Sequence, residues 1–151
     1  MREAMAEIPK ISVRNLQRKV SVNVVELENF AAKALKLCLR LPRKKRTDLE
    51  TLREVSVLIV SDRKIALLHR QFMNESGSTD VITFQHGEIF ISAETARRNA
   101  RRFGNTVARE LCLCVVHGLL HLHGFDDRDE ASARKMRIVQ RKILAEASRL
   151  K

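Results

Sequence analysis

The feature that most constrains the fold is an unusually apolar stretch, TVARELCLCVVHGLLHLH, at residues 106–123. Its apolar residues fall on nearly every side of a helix, whereas a surface helix carries them along one stripe. Asn105 or Thr106 can cap its beginning, and Gly124 can end it. A helix of this kind is stable only when other elements surround it, so the stretch predicts a central buried helix.

Outside this stretch, hydrophobic periodicity predicts strands and further helices on both sides. The strands are placed at residues 11–17 and 54–61 and in the two halves of 79–92, where His86-Gly87 joins a hairpin. The further helices are placed at about residues 24–41, 63–73, 93–103 and 129–149. Because strands and helices do not strictly alternate, we expect an α+β fold, a small mixed sheet of about four strands packed with about five helices.

Short signals mark the ends of several elements. Pro42 stops the first helix, and Asp62 and Ser92 are the expected N-caps of the next two. The composition of NESGS (74–78) predicts a turn. The basic segment PRKKRTD, which begins at Pro42, is interpreted as a surface loop rather than a domain boundary. We therefore expect a single domain over residues 1–151.

The composition and the cysteines indicate where such a chain works. No apolar run approaches the ~18 residues that a membrane span needs, and the first residues lack the apolar core of a secretory signal. Cys38, Cys112 and Cys114 are odd in number, and the last two have a spacing that turns them to opposite sides of a helix. We interpret all three as free thiols of the core. These features predict a cytoplasmic protein with no membrane partner.

The charge balance points to a polyanionic partner. The formal net charge is +11, which in a domain of this size favours nucleic acid above all, although solubility alone is a second explanation. The chain has no Trp or Tyr and only six Phe. Platforms for base stacking are therefore expected to be scarce, and electrostatic attraction would have to dominate the binding of RNA or DNA.

The buried helix carries residues with the spacing of a metal site. His117 and His121 are four apart, so both imidazoles lie on one face. Gly124 lets the chain double back, and Asp127 can then return to the same point. Three protein ligands leave a fourth position for water, which is typical of catalytic zinc. A metal there lowers the pKa of water to ~7, which provides a nucleophile for hydrolysis at neutral pH.

Other readings of the same segment remain open. His117 and His121 could be core histidines that hydrogen-bond to backbone carbonyls, and Asp126 could replace Asp127 as a ligand. His123 is two residues from His121, faces elsewhere and is not expected to bind the metal. Gly118 stands where zinc peptidases carry their general-base glutamate. A basic protein with a hydrolytic metal and no such base points to a phosphodiester substrate.

Three segments resemble one family. HGLLHLHGFDD (117–127) resembles HGxLHLxGYDH, the signature of the YbeY family of metal-dependent endoribonucleases in ribosomal RNA maturation. STDVITF (78–84) is similar to that family's PTDVLSF, and GEIFIS (87–92) to its GDIFIS, within a resemblance from about Ile11 to Leu144. The resemblance implies an α+β fold, a zinc-like ion held by three residues and cleavage of single-stranded RNA. It also implies work on the 3′ end of small-subunit rRNA and in ribosome quality control.

The resemblance also assigns residues. His117 and His121 match the first two family ligands, and Asp127 stands where the family has a third histidine. A carboxylate is a legitimate zinc ligand but also suits a harder ion such as Mn²⁺. Met73 replaces an arginine that is thought to serve the substrate, and Arg70, one turn earlier, could contact a phosphate instead. We therefore expect one divalent ion, most simply Zn²⁺.

A second set of basic residues could contact RNA, and three functions follow. One helix carries two i,i+4 arginine pairs that could face phosphates, although a solvated surface helix is the simpler explanation; they are Arg97, Arg98, Arg101 and Arg102. The first function is a single-strand endoribonuclease in rRNA processing, with rRNA or small-subunit components as partners. The second is an RNA- or ribosome-binding factor of the same fold with weakened catalysis. The third is a metal hydrolase acting on a small molecule or peptide.

Overall fold

The computed structural model describes residues 7–73 and 79–149 as one α+β domain. Its strands are β1 (Lys10–Asn15), β2 (Glu54–Val60), β3 (Val81–Phe84) and β4 (Glu88–Ser92). Its helices are α1 (Val24–Leu39), α2 (Asp48–Thr51), α3 (Asp62–Met73), α4 (Ala93–Phe103), α5 (Val107–Leu122) and α6 (Glu130–Arg149). The predicted strands and the five longer helices are confirmed, whereas α2 was not predicted. The predicted turn at 74–78 lies outside the described residues.

The four strands form one mixed sheet in the order β1-β2-β4-β3. β1, β2 and β4 run parallel, and β3 pairs antiparallel with β4 as an edge strand. The predicted hairpin is therefore confirmed, and Gly87 in its turn has φ +105°. A Cβ atom at Gly87 would lie 2.6 Å from the backbone oxygen of Glu54. Both the positive φ and this close contact therefore require glycine in the turn.

The sheet is covered on both faces, which explains why β2 is apolar almost throughout. Val55, Val57 and Ile59 point into the main core, which β1, β4, α1, α5 and α6 complete. Leu58 and Val60 point to the opposite face and pack in a smaller cluster with residues of α3. A strand buried on both faces cannot alternate apolar and polar residues, and its continuous apolar run reflects this position.

The predicted central helix is confirmed as α5, which packs against α1, α4, α6 and two strands. It lies close against the sheet at Gly118, where a Cβ atom would lie 2.7 Å from the side chain of Ile89. A larger residue at this position would require the buried side chain of Ile89 to shift. Within the described residues, no helix is long and apolar enough to cross a membrane.

The three cysteines are free, as predicted. Cys38 and Cys114 are buried, and Cys112 is half-buried. Burial raises the pKa of Cys38 to about 12 and, as the largest of several influences, that of Cys112 to about 11. Thiols with such pKa values are protonated at neutral pH and unreactive, so they act as small apolar side chains.

The prediction that Asp62 caps α3 is wrong by one residue. The hydroxyl of Ser61 accepts the hydrogen bond from the backbone nitrogen of Lys64, and Asp62 is the first helical residue. The carboxylate of Asp62 instead accepts hydrogen bonds from the hydroxyls of Ser92 and Thr95 and pairs with Arg98 at 2.7 Å. Asp62 thus ties the start of α3 to the start of α4.

This carboxylate gives the fold an acid-sensitive contact. Burial alone would raise the pKa of Asp62, but the hydrogen bonds from Arg98, Ser92 and Thr95 outweigh it and lower the pKa from 3.8 to about 2. A folded-state pKa below the unfolded one stabilises the protein above about pH 4, and this contribution is lost as the pH falls towards 2. It is on the order of 1 kcal/mol, since solvent screens the half-exposed arginine.

We expect Asp62→Asn to lower the free energy of urea unfolding at pH 6 and the deficit to shrink steadily below pH 4. Glu146→Gln, which changes an exposed carboxylate of α6, serves as the control and should show no such trend. A deficit that stays constant between pH 6 and pH 3 would contradict the role given to this carboxylate.

Candidate metal centre

A cleft of about 940 Å³ opens at the end of α5. Its walls are the loop after α5, the edge strand β3 and the last turns of α3, which contributes His69 and Met73. His117 and Asp80 also line a second groove of about 410 Å³, so the two depressions meet at these two residues. The fold thus places the predicted site where two surface grooves join.

The three predicted ligands are brought together in this cleft. The Nε2 atoms of His117 and His121 lie 3.0 Å apart, and each is 4.0 Å from Oδ2 of Asp127. Tetrahedral zinc with bonds of ~2.0–2.1 Å needs ligand atoms ~3.3 Å apart. The two imidazoles are close to this spacing. The Asp127 side chain is 52% exposed and has the freedom to close the remaining gap of under ~1 Å.

The turn that returns Asp127 to the histidines is held by local and distant contacts. Gly124 has φ +86°, and the backbone nitrogen of Phe125 donates to the oxygen of Leu120 at 3.0 Å. Arg43 donates to the oxygen of Gly124 at 2.9 Å, and its guanidinium lies 3.9 Å above the ring of Phe125. Arg43, the first arginine of the basic PRKKRTD segment, therefore stabilises the turn of the site.

Neighbouring groups set the orientation and charge of the histidines. Nδ1 of His117 lies 3.0 Å from Oε1 of Gln140, which can only accept, so Nδ1 carries the proton and Nε2 presents its lone pair. Burial, helped by the nearby His117, lowers the pKa of His121, while Asp127 opposes the shift. The lowered pKa favours the neutral form of His121, which a metal ion requires. The donor set therefore fits a divalent metal ion.

The other two candidates of this segment lie outside the cluster. His123 is only 1% exposed, its Nε2 donates to the oxygen of Leu41 at 2.8 Å, and its Nδ1 accepts from the hydroxyl of Thr47 at 2.9 Å. Thr47 in turn forms the N-terminal capping box of α2 with Glu50. Asp126 lines the cleft and accepts from the backbone nitrogen of Arg128. His123 thus has a structural position that joins the end of α5 to α2.

We expect His123→Ala to lower the free energy of unfolding by about 2–4 kcal/mol, because it opens a cavity and leaves Thr47 without its buried partner. Urea unfolding in the presence of a chelator measures this effect without a contribution from metal. The affinity of the folded variant for metal should change less than about tenfold. Loss of metal with unchanged stability would instead identify His123 as a ligand.

The predicted RNA-contacting arginines lie away from the main cleft. Arg70 is exposed on α3 and is not among the residues that line the cleft, whereas Met73 is. On α4, Arg98 pairs with Asp62, and Arg97 donates to the oxygen of Lys19 at 3.4 Å. Arg101 and Arg102 are exposed. The contacts of these arginines with RNA stay predictions.

Other residues of the two grooves were missed by sequence reasoning. The main cleft contains His69 and Arg128, and the second groove contains Arg109 and Arg141. His69 lies one helical turn before Met73, so the helical spacing of four that located the two ligands could also have found it. The arginines belong to different helices or loops, and no local pattern connects them.

Family models and related proteins agree on where this chain belongs. The model of the family described as Endoribonuclease YbeY matches residues 12–148. A Heliobacterium modesticaldum protein named Endoribonuclease YbeY is 34% identical over 112 residues, covering 60% of this chain and 68% of the relative. A Bacteroides thetaiotaomicron protein of the same name is 36% identical over 99 residues, covering 61% and 72%. The chain therefore belongs to the endoribonuclease YbeY family, and its predicted place in an enzyme family is confirmed.

A solved structure supports the same conclusion for the fold. The solution structure of TM1509 from Thermotoga maritima matches with a TM-score of 0.61 and 28% sequence identity, covering 91% of this chain and 88% of that chain. The predicted α+β single-domain fold is thereby confirmed.

Proposed function

We propose that this chain, as one domain over residues 1–151, is a metal-dependent endoribonuclease that cleaves single-stranded RNA. The observation that carries the proposal is the cluster of His117, His121 and Asp127 in an open cleft, where His117 also borders a second groove. Membership of the endoribonuclease YbeY family supports RNA as the substrate. The net charge of +11 supports a polyanionic substrate independently.

The chain would hold one divalent ion through Nε2 of His117, Nε2 of His121 and a carboxylate oxygen of Asp127. Such an ion supplies Lewis-acid chemistry, which lowers the pKa of water to about 7 and polarises a phosphoryl oxygen. Gln140 keeps the His117 ring in the orientation that the cluster needs. Zn²⁺ is the simplest occupant, and the carboxylate also makes Mn²⁺ a reasonable one.

The grooves supply a path for a polymer. Arg128 lies in the main cleft, and Arg109 and Arg141 lie in the second groove. A strand that crosses the cluster would therefore meet a cation on each side, which can position phosphates without reading sequence. We propose the 3′ end of small-subunit rRNA as the target, with ribosomal components as partners and the cytoplasm as the compartment. The family supports these finer assignments.

Cleavage of a labelled RNA with one single-stranded and one duplex segment tests the proposal. We expect cuts confined to the single-stranded segment, abolished by EDTA and restored by Zn²⁺ or Mn²⁺. His121→Ala purified in the same way controls for contaminating nucleases and should be inactive. Equal cleavage by the variant would overturn the proposal.

Two substitutions favour a second candidate, an RNA- or ribosome-binding factor without turnover. Met73 lines the cleft at the position where the resemblance places an arginine, and a thioether cannot neutralise phosphate. Asp127 would add negative charge beside a bound ion, which would oppose an approaching phosphate. Salt-sensitive binding of RNA with no metal-dependent cutting would support this second candidate.

We expect Met73→Arg to raise kcat/KM for RNA cleavage about tenfold at low salt, because it adds a cation to the wall of the cleft. The slope of log affinity against log salt should steepen by about 1, as for one added phosphate contact. Leu67→Arg adds the same charge to an exposed position of α3 that does not line the cleft. An equal gain in both variants would show a general charge effect and contradict a specific role at position 73.

A further inference from the structure

Beside the main cleft, four rings form a connected cluster on the α3 side of the sheet. Phe84 contacts Phe72 edge-to-face with ring centroids 5.4 Å apart, Phe90 edge-to-face at 5.8 Å, and His86 in a nearly parallel stack at 5.6 Å and 16°. Three of the six phenylalanines of the chain therefore meet at one place. We call Phe72, Phe84 and His86 the aromatic platform.

The outer rings of this platform are open to solvent. Phe72 is 58% exposed, although a phenylalanine gains stability from burial. The His86 side chain is 67% exposed, and its Nε2 donates to Oε1 of Glu88, which fixes the plane of the ring. Phe84 between them is half-buried and anchored on the small core. The platform thus presents flat surfaces in a set orientation.

The platform adjoins the proposed RNA site through neighbouring residues of α3 and of the edge strand β3. Met73 follows Phe72 on α3 and lines the cleft, and Thr83 and Gln85 line it from either side of Phe84. Phe84 itself points to the opposite face of β3, into the small cluster under α3, so the platform and the metal cluster lie on either side of this edge strand. A single strand that leaves the cleft over the edge strand β3 would meet these rings with its next unpaired bases.

We propose that the aromatic platform stacks a nucleobase of the single-stranded RNA that occupies the cleft. This inference rests on the proposed function, whose substrate it extends from a phosphate backbone to an unpaired base. Every base has an aromatic face, so stacking on Phe72 or His86 selects single strands over duplexes without selecting a sequence. The expected scarcity of stacking residues is thereby offset by their concentration beside the cleft.

The absence of tryptophan makes a direct test possible. Phe72→Trp introduces the only indole of the chain, and Val25→Trp does so at an exposed position of α1, which packs on the opposite edge of the sheet. The probe is an oligoadenylate of eight nucleotides with 2′-O-methyl and phosphorothioate groups that resist cleavage, added to the metal-loaded full chain. We expect the probe to quench the indole fluorescence of the Phe72→Trp variant and to leave that of the Val25→Trp variant unchanged.

Binding of the same probe, followed by fluorescence anisotropy, separates the possible outcomes. Phe72→Ala and Phe72→Leu should each weaken binding of the oligoadenylate roughly 5- to 50-fold, with no change for an abasic strand of the same length. Equal binding of the oligoadenylate by wild type and both variants would overturn the proposed stacking role of the platform and leave the proposed function intact. No binding of either strand by wild type would overturn both proposals.

Discussion

Replacing His121 by alanine is expected to abolish stoichiometric metal binding and to reduce RNA cleavage at least about 100-fold. Its Nε2 lies 3.0 Å from that of His117, and both point to the space that an ion would fill. Loss of a group that merely orients a ligand typically lowers metal affinity or activity 10- to 100-fold, so removal of a ligand should exceed this range. Metal analysis by plasma mass spectrometry and a cleavage assay on one preparation measure both effects.

The stability of His121→Ala separates a site effect from an unfolding effect. His121 is half-buried at the surface of the cleft, so chelated wild type and the variant should unfold at similar urea concentrations. His123→Ala provides the opposite pattern, with lower stability and retained metal. A variant that loses His121 but keeps one ion per chain would contradict the assignment of this ligand.

Asp127 is the ligand for which substitution is expected to be most informative. Asp127→Ala should lower metal affinity at least about 100-fold, because two imidazoles alone leave the ion without its charged ligand. Asp127→His should keep one ion per chain. It should shift the metal preference from Mn²⁺ towards Zn²⁺, because imidazole is a better ligand for zinc than a carboxylate is.

Calorimetric titration of chelated protein with Zn²⁺ and Mn²⁺ measures these affinities. Asp126→Ala is the matched control, because Asp126 is adjacent in sequence and lies outside the three-residue cluster. A larger loss of metal affinity in Asp126→Ala than in Asp127→Ala would show that Asp126, and not Asp127, is the third ligand.

The features that sequence predicted best depend on short-range spacing. The four-residue separation of His117 and His121, with Gly124 after them, was sufficient to find the cluster, because helix geometry places such residues on one face. The boundaries of the longer elements were predicted from the same periodicity. Ser61 and Asp62 are both good capping residues, and only the contact of Asp62 with α4 decides between them.

The features that sequence missed depend on contacts between distant residues. Arg43 reaches Gly124 across 81 positions, and Thr47 reaches His123 across 76. No local pattern indicates that a basic loop and a four-residue helix support the turn of the metal site. On α3, neighbouring residues are about 100° apart around the helix axis. This rotation decides that His69 lines the cleft and Arg70 does not.

Cleavage measured against metal occupancy tests the central claim most directly. Chelated wild-type protein would be titrated with Zn²⁺, and separately with Mn²⁺, while the initial rate of cutting of a single-stranded RNA is recorded. We predict that the rate rises from zero in proportion to the bound ion and reaches its plateau at one ion per chain. Cutting by the metal-free chain, or full occupancy of the site without cutting, would contradict the claim that His117, His121 and Asp127 form the catalytic centre of an endoribonuclease.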